Sequence, residues 1–247
     1  MNNKLGLVSI SFRSHSVEEI ITAMKNAGLT HIEWGSDVHA PKHDIAALEK
    51  IALLQKEQGI ICSSYGTYFY LGTDPVNDLA GYISAAKILG TNIIRLWCGN
   101  KNSEDYSAEE KNALFNECRA AAKIAEEAGA ILCMECHIRT YTNRKESALE
   151  LMQEVNSPNF RMYWQPNQFR TEEENVEYAK LISPYTVNIH VFNWKETEMY
   201  PLKDAKDIWK KYLSCFDGNR PLLLEFMPDG RIETLMTEAE VLKEIAK

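Results

Sequence analysis

The stretch Gly129-Ala-Ile-Leu-Cys-Met-Glu-Cys-His137 decides the fold. A glycine suited to ending a helix is followed at once by a short apolar run, and the run ends in ionisable side chains. The same joint of helix, glycine and strand recurs at Gly28, Gly59 and Gly90, a spacing of roughly 30–40 residues that marks a weak internal repeat.

Working outward from this unit, runs rich in Ile, Val and Leu alternate with helical patterns along the chain. The predicted strands are residues 4–10, 30–34, 60–65, 92–97, 130–135, 160–165, 186–192 and 221–226. Ser16 with Glu19, and Thr171 with Glu174, have the spacing of a capping box and open the first and sixth helices. Eight βα units with nothing left over predict an α/β fold, one closed (β/α)8 TIM barrel occupying 1–247 as a single domain. An open doubly wound sheet would carry a glycine-rich phosphate loop after an early strand. Here the first turn, Ser11-Phe-Arg-Ser-His-Ser16, has no glycine, and no dinucleotide or P-loop pattern occurs elsewhere.

Composition narrows the functional classes. The 247 residues carry 27 Lys and Arg against 35 Asp and Glu, a net charge of −8, with 45% hydrophobic residues. That balance argues against a nucleic-acid binder, which needs clustered cations to neutralise phosphates. No apolar run approaches a membrane span, and the N-terminus lacks the pattern of a signal peptide, so the expected location is the cytoplasm. The six cysteines show no disulfide framework, and most are expected as reduced core residues. Cys133 and Cys136 form a C-x-x-C, but inside a strand their odd separation points them to opposite faces.

In a barrel, chemistry gathers where strands end. Strand two contributes His31 and Glu33, then Asp37 and His39; strand three, Ser63 and Tyr65; strand four, Arg95 and Trp97, then Lys101. Strand five contributes Glu135 and His137, then Arg139; strand six, Tyr163 and Gln165, then Asn167; strand seven, Asn188 and His190; strand eight, Glu225. Period-two alternation puts Cys133, Glu135 and His137 on one face, Asn188, His190 and Phe192 on one face, and Leu223, Glu225 and Met227 on one face. Leu222, Leu224 and Phe226 are then expected under the helices, as are Trp34 and Trp164 by the same parity. A carboxylate in an apolar strand must be paired, hydrogen-bonded or metal-bound. Glu135, His190 and Glu225 therefore form a candidate divalent-metal set, with Gln165 able to add an amide oxygen. The competing readings are ion pairs of these glutamates with Arg95 or Arg139, a hydrogen-bonded core histidine, and aromatics that only pack.

Several phrases together resemble one family. They are Gly35-Ser-Asp-Val-His39, Ser64-Tyr-Gly-Thr-Tyr68, Ile94-Arg-Leu-Trp97, Glu135-Cys-His137 with Arg139-Thr-Tyr-Thr142, Tyr163-Trp-Gln-Pro-Asn167, His190-Val-Phe-Asn-Trp194 and Leu224-Glu-Phe226. Their order is similar to that of the xylose isomerase-like TIM barrel superfamily, which includes sugar isomerases, ketose 3-epimerases, inosose dehydratases and apurinic endonuclease relatives, and most of all to its sugar phosphate isomerase/epimerase subgroup.

The resemblance implies a divalent metal ion (Mn, Mg, Zn or Co) on Glu135, Gln165, His190 and Glu225, with Gln165 standing where the family carries an Asp. It also implies Glu135 and Glu225 as acid/base groups. The expected activity is isomerisation or epimerisation of a small sugar, sugar phosphate or polyol, by proton transfer α to a carbonyl through an enediolate. Substrate contacts are expected from His39, Tyr65, Arg95, Trp97, Lys101, His137, Arg139, Asn167 and Phe192, with Arg139 or Lys101 meeting a phosphate or carboxylate. Tyr141 and Gln168 replace residues that the 3-epimerases use on substrate, so a close copy of those enzymes is not expected. A lyase dehydrating a keto-inositol type of substrate shares the first step and is the alternative, as is a barrel that binds a sugar without turnover. The expected partners are a small carbohydrate and a second copy of the chain, not nucleic acid or membrane.

Overall fold

Each of the eight apolar runs becomes a strand, and the strands close on themselves. The computed structural model describes residues 4–218 and 220–247. The barrel strands are β1 (Leu5–Val8), β2 (His31–Gly35), β3 (Ile61–Leu71), β4 (Ile93–Cys98), β5 (Ile131–Glu135), β6 (Phe160–Trp164), β7 (Thr186–Val191) and β10 (Leu222–Leu224). A two-stranded hairpin, β8 (Trp194–Lys195) and β9 (Glu198–Met199), lies between the last two. All barrel pairings are parallel, in the closed order β1-β10-β7-β6-β5-β4-β3-β2. The fold is a (β/α)8 TIM barrel.

The helices are α1 (Val17–Asn26), α2 (Ile45–Gln58), α3 (Leu79–Ile88), α4 (Ala108–Ala128), α5 (Lys145–Val155), α6 (Glu172–Ile182), α7 (Lys206–Leu213) and α8 (Leu235–Ile245). Capping boxes at Ser16 and Thr171 start α1 and α6, and a third, Ser107 with Glu110, starts α4. Gly59 and Gly129 end α2 and α4 with φ of 70° and 67°, where a side chain would be strained.

The strand faces sort the core into two layers. Trp34 and Trp164 are fully buried under the helices, with the Trp34 indole donating to Gln55 Oε1 of α2 at 3.0 Å. Val8, Ile10, Cys133, Tyr163 and Leu223 fill the barrel interior. Cys133 and Cys136 fall on opposite sides of β5, one in each layer, and no cysteine is disulfide-bonded among the described residues. No helix among the described residues is long and apolar enough to cross a membrane.

Three strands depart from expectation, β1 by ending at Val8, where a 3-10 turn over Ser9–Phe12 begins. β3 runs on to Leu71, through a register shift against β4 between Gly66 and Tyr70. β10 stops at Leu224, and Phe226 takes a positive φ of 62°. That turn swings the Phe226 ring away from the helices and onto the open end of the barrel, where it packs on Trp194 with centroids 5.6 Å apart. Strand parity fails for Phe226 because the strand has already ended.

Candidate active site

Four side chains from the ends of β5, β6, β7 and β10 meet at one atom. His190 Nδ1 lies 3.0 Å from Gln165 Oε1, 3.3 Å from Glu225 Oε2 and 3.6 Å from Glu135 Oε1. Ligand atoms of Glu135, His190 and Glu225 fit within 4.8 Å of one another, and all three residues are buried. These strands carry their polar residues at the C-terminal end, facing inward, so the barrel's geometry makes them converge.

The donor set fits a hard or borderline divalent cation: carboxylate oxygens, an imidazole nitrogen and an amide oxygen. The charges fit as well. With His190 neutral, as a ligand must be, buried Glu33, Glu135 and Glu225 stand against one buried guanidinium, Arg95, an excess of two negative charges that matches one divalent cation.

Arg95 organises the carboxylates. Its Nη1 donates to Glu135 Oε2 at 3.0 Å and to the Thr67 carbonyl at 3.1 Å, and its Nε donates to Glu33 Oε1 at 3.2 Å. The Trp97 indole also donates to Glu135 Oε2, at 2.5 Å. Glu135 therefore presents Oε1 to the centre and commits Oε2 elsewhere. Burial pushes the Glu135 carboxyl up, but the Arg95 charge and the bond to His190 outweigh it and hold it well below the usual range. Burial likewise opposes ionisation of Glu33, yet His190 and Arg95 bring it down to about 2. For His190, burial lowers the imidazole, and the Glu225 and Glu33 carboxylates raise it well above its ordinary value.

Above the centre is a cavity of about 300 Å³. Of the sequence-predicted substrate contacts, Arg95, Trp97, His137, Asn167 and Phe192 line it, with Glu135, Gln165 and Glu225 at its floor. His137 packs against Trp97 with centroids 5.2 Å apart and the rings tilted by 40°. Its Nδ1 lies 2.6 Å from the Ile138 carbonyl, which only accepts, so Nδ1 carries a hydrogen and the neutral tautomer has its lone pair on Nε2.

Four expected contacts lie elsewhere. Tyr65 points outward and donates its hydroxyl to the Ala40 carbonyl at 2.6 Å, because inward positions on β3 belong to Ser64 and Gly66. His39 is held between Ser9 Oγ at 3.1 Å and the His15 carbonyl at 3.2 Å. Lys101 pairs with Glu110 at 2.7 Å and covers the Tyr106 ring. Arg139 sits in a loop turn with φ of 58°, outside the cavity wall. Neither of the two cations expected to meet a phosphate or carboxylate faces the cavity. Conversely, Tyr68, Gln168, Trp194 and Phe226 line it without having been chosen. Gln168 comes from a loop and Trp194 from the two-residue strand β8, both too short of regular structure for periodicity to tell which way a side chain turns.

A model of the family described as "Xylose isomerase-like TIM barrel" matches residues 21–244. A 3-dehydroshikimate dehydratase of Bacillus anthracis is 27% identical over 168 residues, 64% of this chain and 60% of that protein's length. The crystal structure of a probable 3-DHS dehydratase from Bacillus anthracis has a TM-score of 0.83 at 21% identity, covering 97% of this chain and 98% of that one. The structure of an L-ribulose 3-epimerase has a TM-score of 0.75 at 15% identity, covering 99% and 94%. At these identities the structural likeness establishes the fold and does not separate elimination from epimerisation.

Proposed function

The chain belongs to the xylose isomerase-like TIM barrel family, and from that premise we propose that it is a divalent-cation-dependent lyase removing water from a small polyhydroxylated keto compound. The observation that carries this reading is the tie between Glu135 Oε2 and both Arg95 and Trp97. Epimerisation by two glutamates needs each to take or give a proton on its own side of one carbon. A carboxylate tied on one oxygen and turned to the cation centre with the other is a poor base. His137 is the better proton acceptor, with Nε2 bare and its ring fixed against Trp97. Imidazole and carboxylate side by side suit elimination, in which one group does both proton transfers and the other stays ionised.

Glu135, Gln165, His190 and Glu225 would hold the cation, which supplies Lewis-acid polarisation of a substrate oxygen. The protein's own part follows from its geometry. Trp97, Phe192, Trp194 and Phe226 wall the cavity with flat apolar surface, and Asn167 and Gln168 offer polar groups to hydroxyls. His137 Nε2 takes the proton α to the ketone; as the β C–O bond breaks, the imidazolium returns that proton to the departing hydroxyl, and water leaves. The B. anthracis relative makes 3-dehydroshikimate the first substrate to test.

Loss of water from 3-dehydroshikimate followed by enolisation gives an aromatic ring, so absorbance follows turnover. The expected result is aromatic product in the presence of Mn2+ or Mg2+. Exchange of the α-proton for solvent deuterium without loss of water, on this or another hydroxyketone, would replace the lyase with an isomerase or epimerase. Binding with no exchange would leave a non-catalytic sugar-binding barrel.

A further inference from the structure

Glu33 is the most enclosed carboxylate in the barrel, fully buried and without direct access to the cavity. It touches the candidate centre from behind by two routes. Its Oε2 lies 3.4 Å from His190 Nε2, and its Oε1 accepts from Arg95 Nε at 3.2 Å, whose Nη1 in turn holds Glu135 Oε2. Ser64 Oγ donates to Glu33 Oε2 at 2.8 Å, and Ser64 is bonded to the Tyr163 hydroxyl at 3.0 Å, which accepts from Asn188 Nδ2 at 2.8 Å. Hydrogen bonds from four other strands, β3, β4, β6 and β7, therefore run toward this one carboxylate. The backbone also makes room for it: a Cβ on Gly66 would lie 2.4 Å from Glu33 Oε1 and 2.9 Å from Arg95 Nη2.

We propose that Glu33 is the positioning residue of the cation centre, turning His190 so that Nδ1 faces the other donors and, through Arg95, turning Glu135 so that Oε1 does. A histidine ligand whose far nitrogen donates to a carboxylate is fixed in tautomer and in ring orientation. Here one carboxylate does this for the imidazole and steadies a second ligand as well. An ion pair that only stabilised the barrel would need neither the contact at His190 Nε2 nor the bridge to Glu135. The inference rests on the cation reading of the site and is independent of the reaction proposed above.

The test is Mn2+ titration of the full chain by calorimetry, with wild type, Glu33→Gln, Glu33→Asp and Ser64→Ala compared. Glu33→Gln should weaken Mn2+ binding by about 10–100-fold, while Glu33→Asp, which keeps the charge, recovers part of the loss. Ser64→Ala leaves both tethers in place and should bind like wild type. In Mg2+-saturated protein, the proton on His190 Nε2 should give a downfield resonance that is lost in Glu33→Gln, a signature that a purely structural role would not move. Wild-type affinity in Glu33→Gln overturns the positioning role alone. If that variant does not fold, wild-type affinity in Glu33→Asp does the same. Absence of Mn2+ binding by wild type overturns the cation reading and this role together, whatever the enzyme assays give.

Discussion

Gln165 brings an amide oxygen to within 3.0 Å of His190 Nδ1, where a carboxylate would add another negative charge to a centre already balanced for one divalent cation. Gln165→Asp should therefore bind Mn2+ more tightly, by about tenfold, or ~1.4 kcal/mol. In the cation-free protein the same substitution sets a third carboxylate beside Glu135 and Glu225, and the repulsion between like charges should lower stability by about 1 kcal/mol. Calorimetry and urea denaturation without added metal measure the two effects, which have opposite sign. His137 lies in the cavity but outside the donor set. His137→Asn should lower turnover by about 10²–10⁴-fold and leave Mn2+ affinity at the wild-type value. A variant that lost both would make His137 part of the cation centre instead. Glu135 and His190 were legible as inward positions at the ends of β5 and β7, and Gln165 and Glu225 because the alternation carries one residue past β6 and β10. Glu33 was visible as a polar strand end, but its work was not, since its partner His190 lies 157 residues away across the barrel. Lys101 and Arg139, expected as anchors, lie several residues past β4 and β5, where the alternation no longer sets a direction, and they do not line the cavity.

β3 shows how an element can be right in kind and wrong in detail. The sequence marks a strand at residues 60–65, and the structure extends it to Leu71 with a register shift. At the end of the predicted run Ser64 and Gly66 face inward and Tyr65 does not, so the Tyr65 side chain lies outside the cavity it was expected to line. Gly66→Ala tests the strand's part in the site. Its new methyl group must displace the Glu33 and Arg95 side chains, so stability should fall by about 1–3 kcal/mol and Mn2+ affinity should fall with it. Helix ends were the most legible elements, because a capping box is written in residues three apart. The Ser107 side chain accepts from the Glu110 amide, and the Glu110 carboxylate accepts from the Ser107 amide. Ser107→Ala at the start of the 21-residue α4 should cost about 1 kcal/mol, a fall of roughly 2–4 °C in melting temperature for a domain of this size. No residue of α4 lines the cavity or belongs to the donor set, so scanning calorimetry should show that loss with Mn2+ affinity unchanged.

At the scale of the molecule, the barrel and its site draw on different sources of stability. The layer between strands and helices is a continuous apolar cluster that includes none of the donor residues, and Val8, Ile10, Cys133, Tyr163 and Leu223 form a smaller one inside the barrel, with the Tyr163 ring against His190 at 4.5 Å between centroids. The chain should therefore fold without metal, unlike small domains whose folding is the binding of an ion. Cation binding should still report on the fold, because it requires ligands from four strands that come together only in the native state. At a free Mn2+ concentration 100 times Kd the native state gains about 2.7 kcal/mol, equivalent to a rise of roughly 5–11 °C in melting temperature. Chelation should reverse the rise and leave a cooperative transition at the lower temperature. Glu225→Gln removes one carboxylate ligand while keeping the shape of the side chain. It should melt like the chelated wild type, respond little to Mn2+, and turn over no substrate. A full wild-type response to Mn2+ in Glu225→Gln would place the cation somewhere other than the centre formed by Glu135, Gln165, His190 and Glu225.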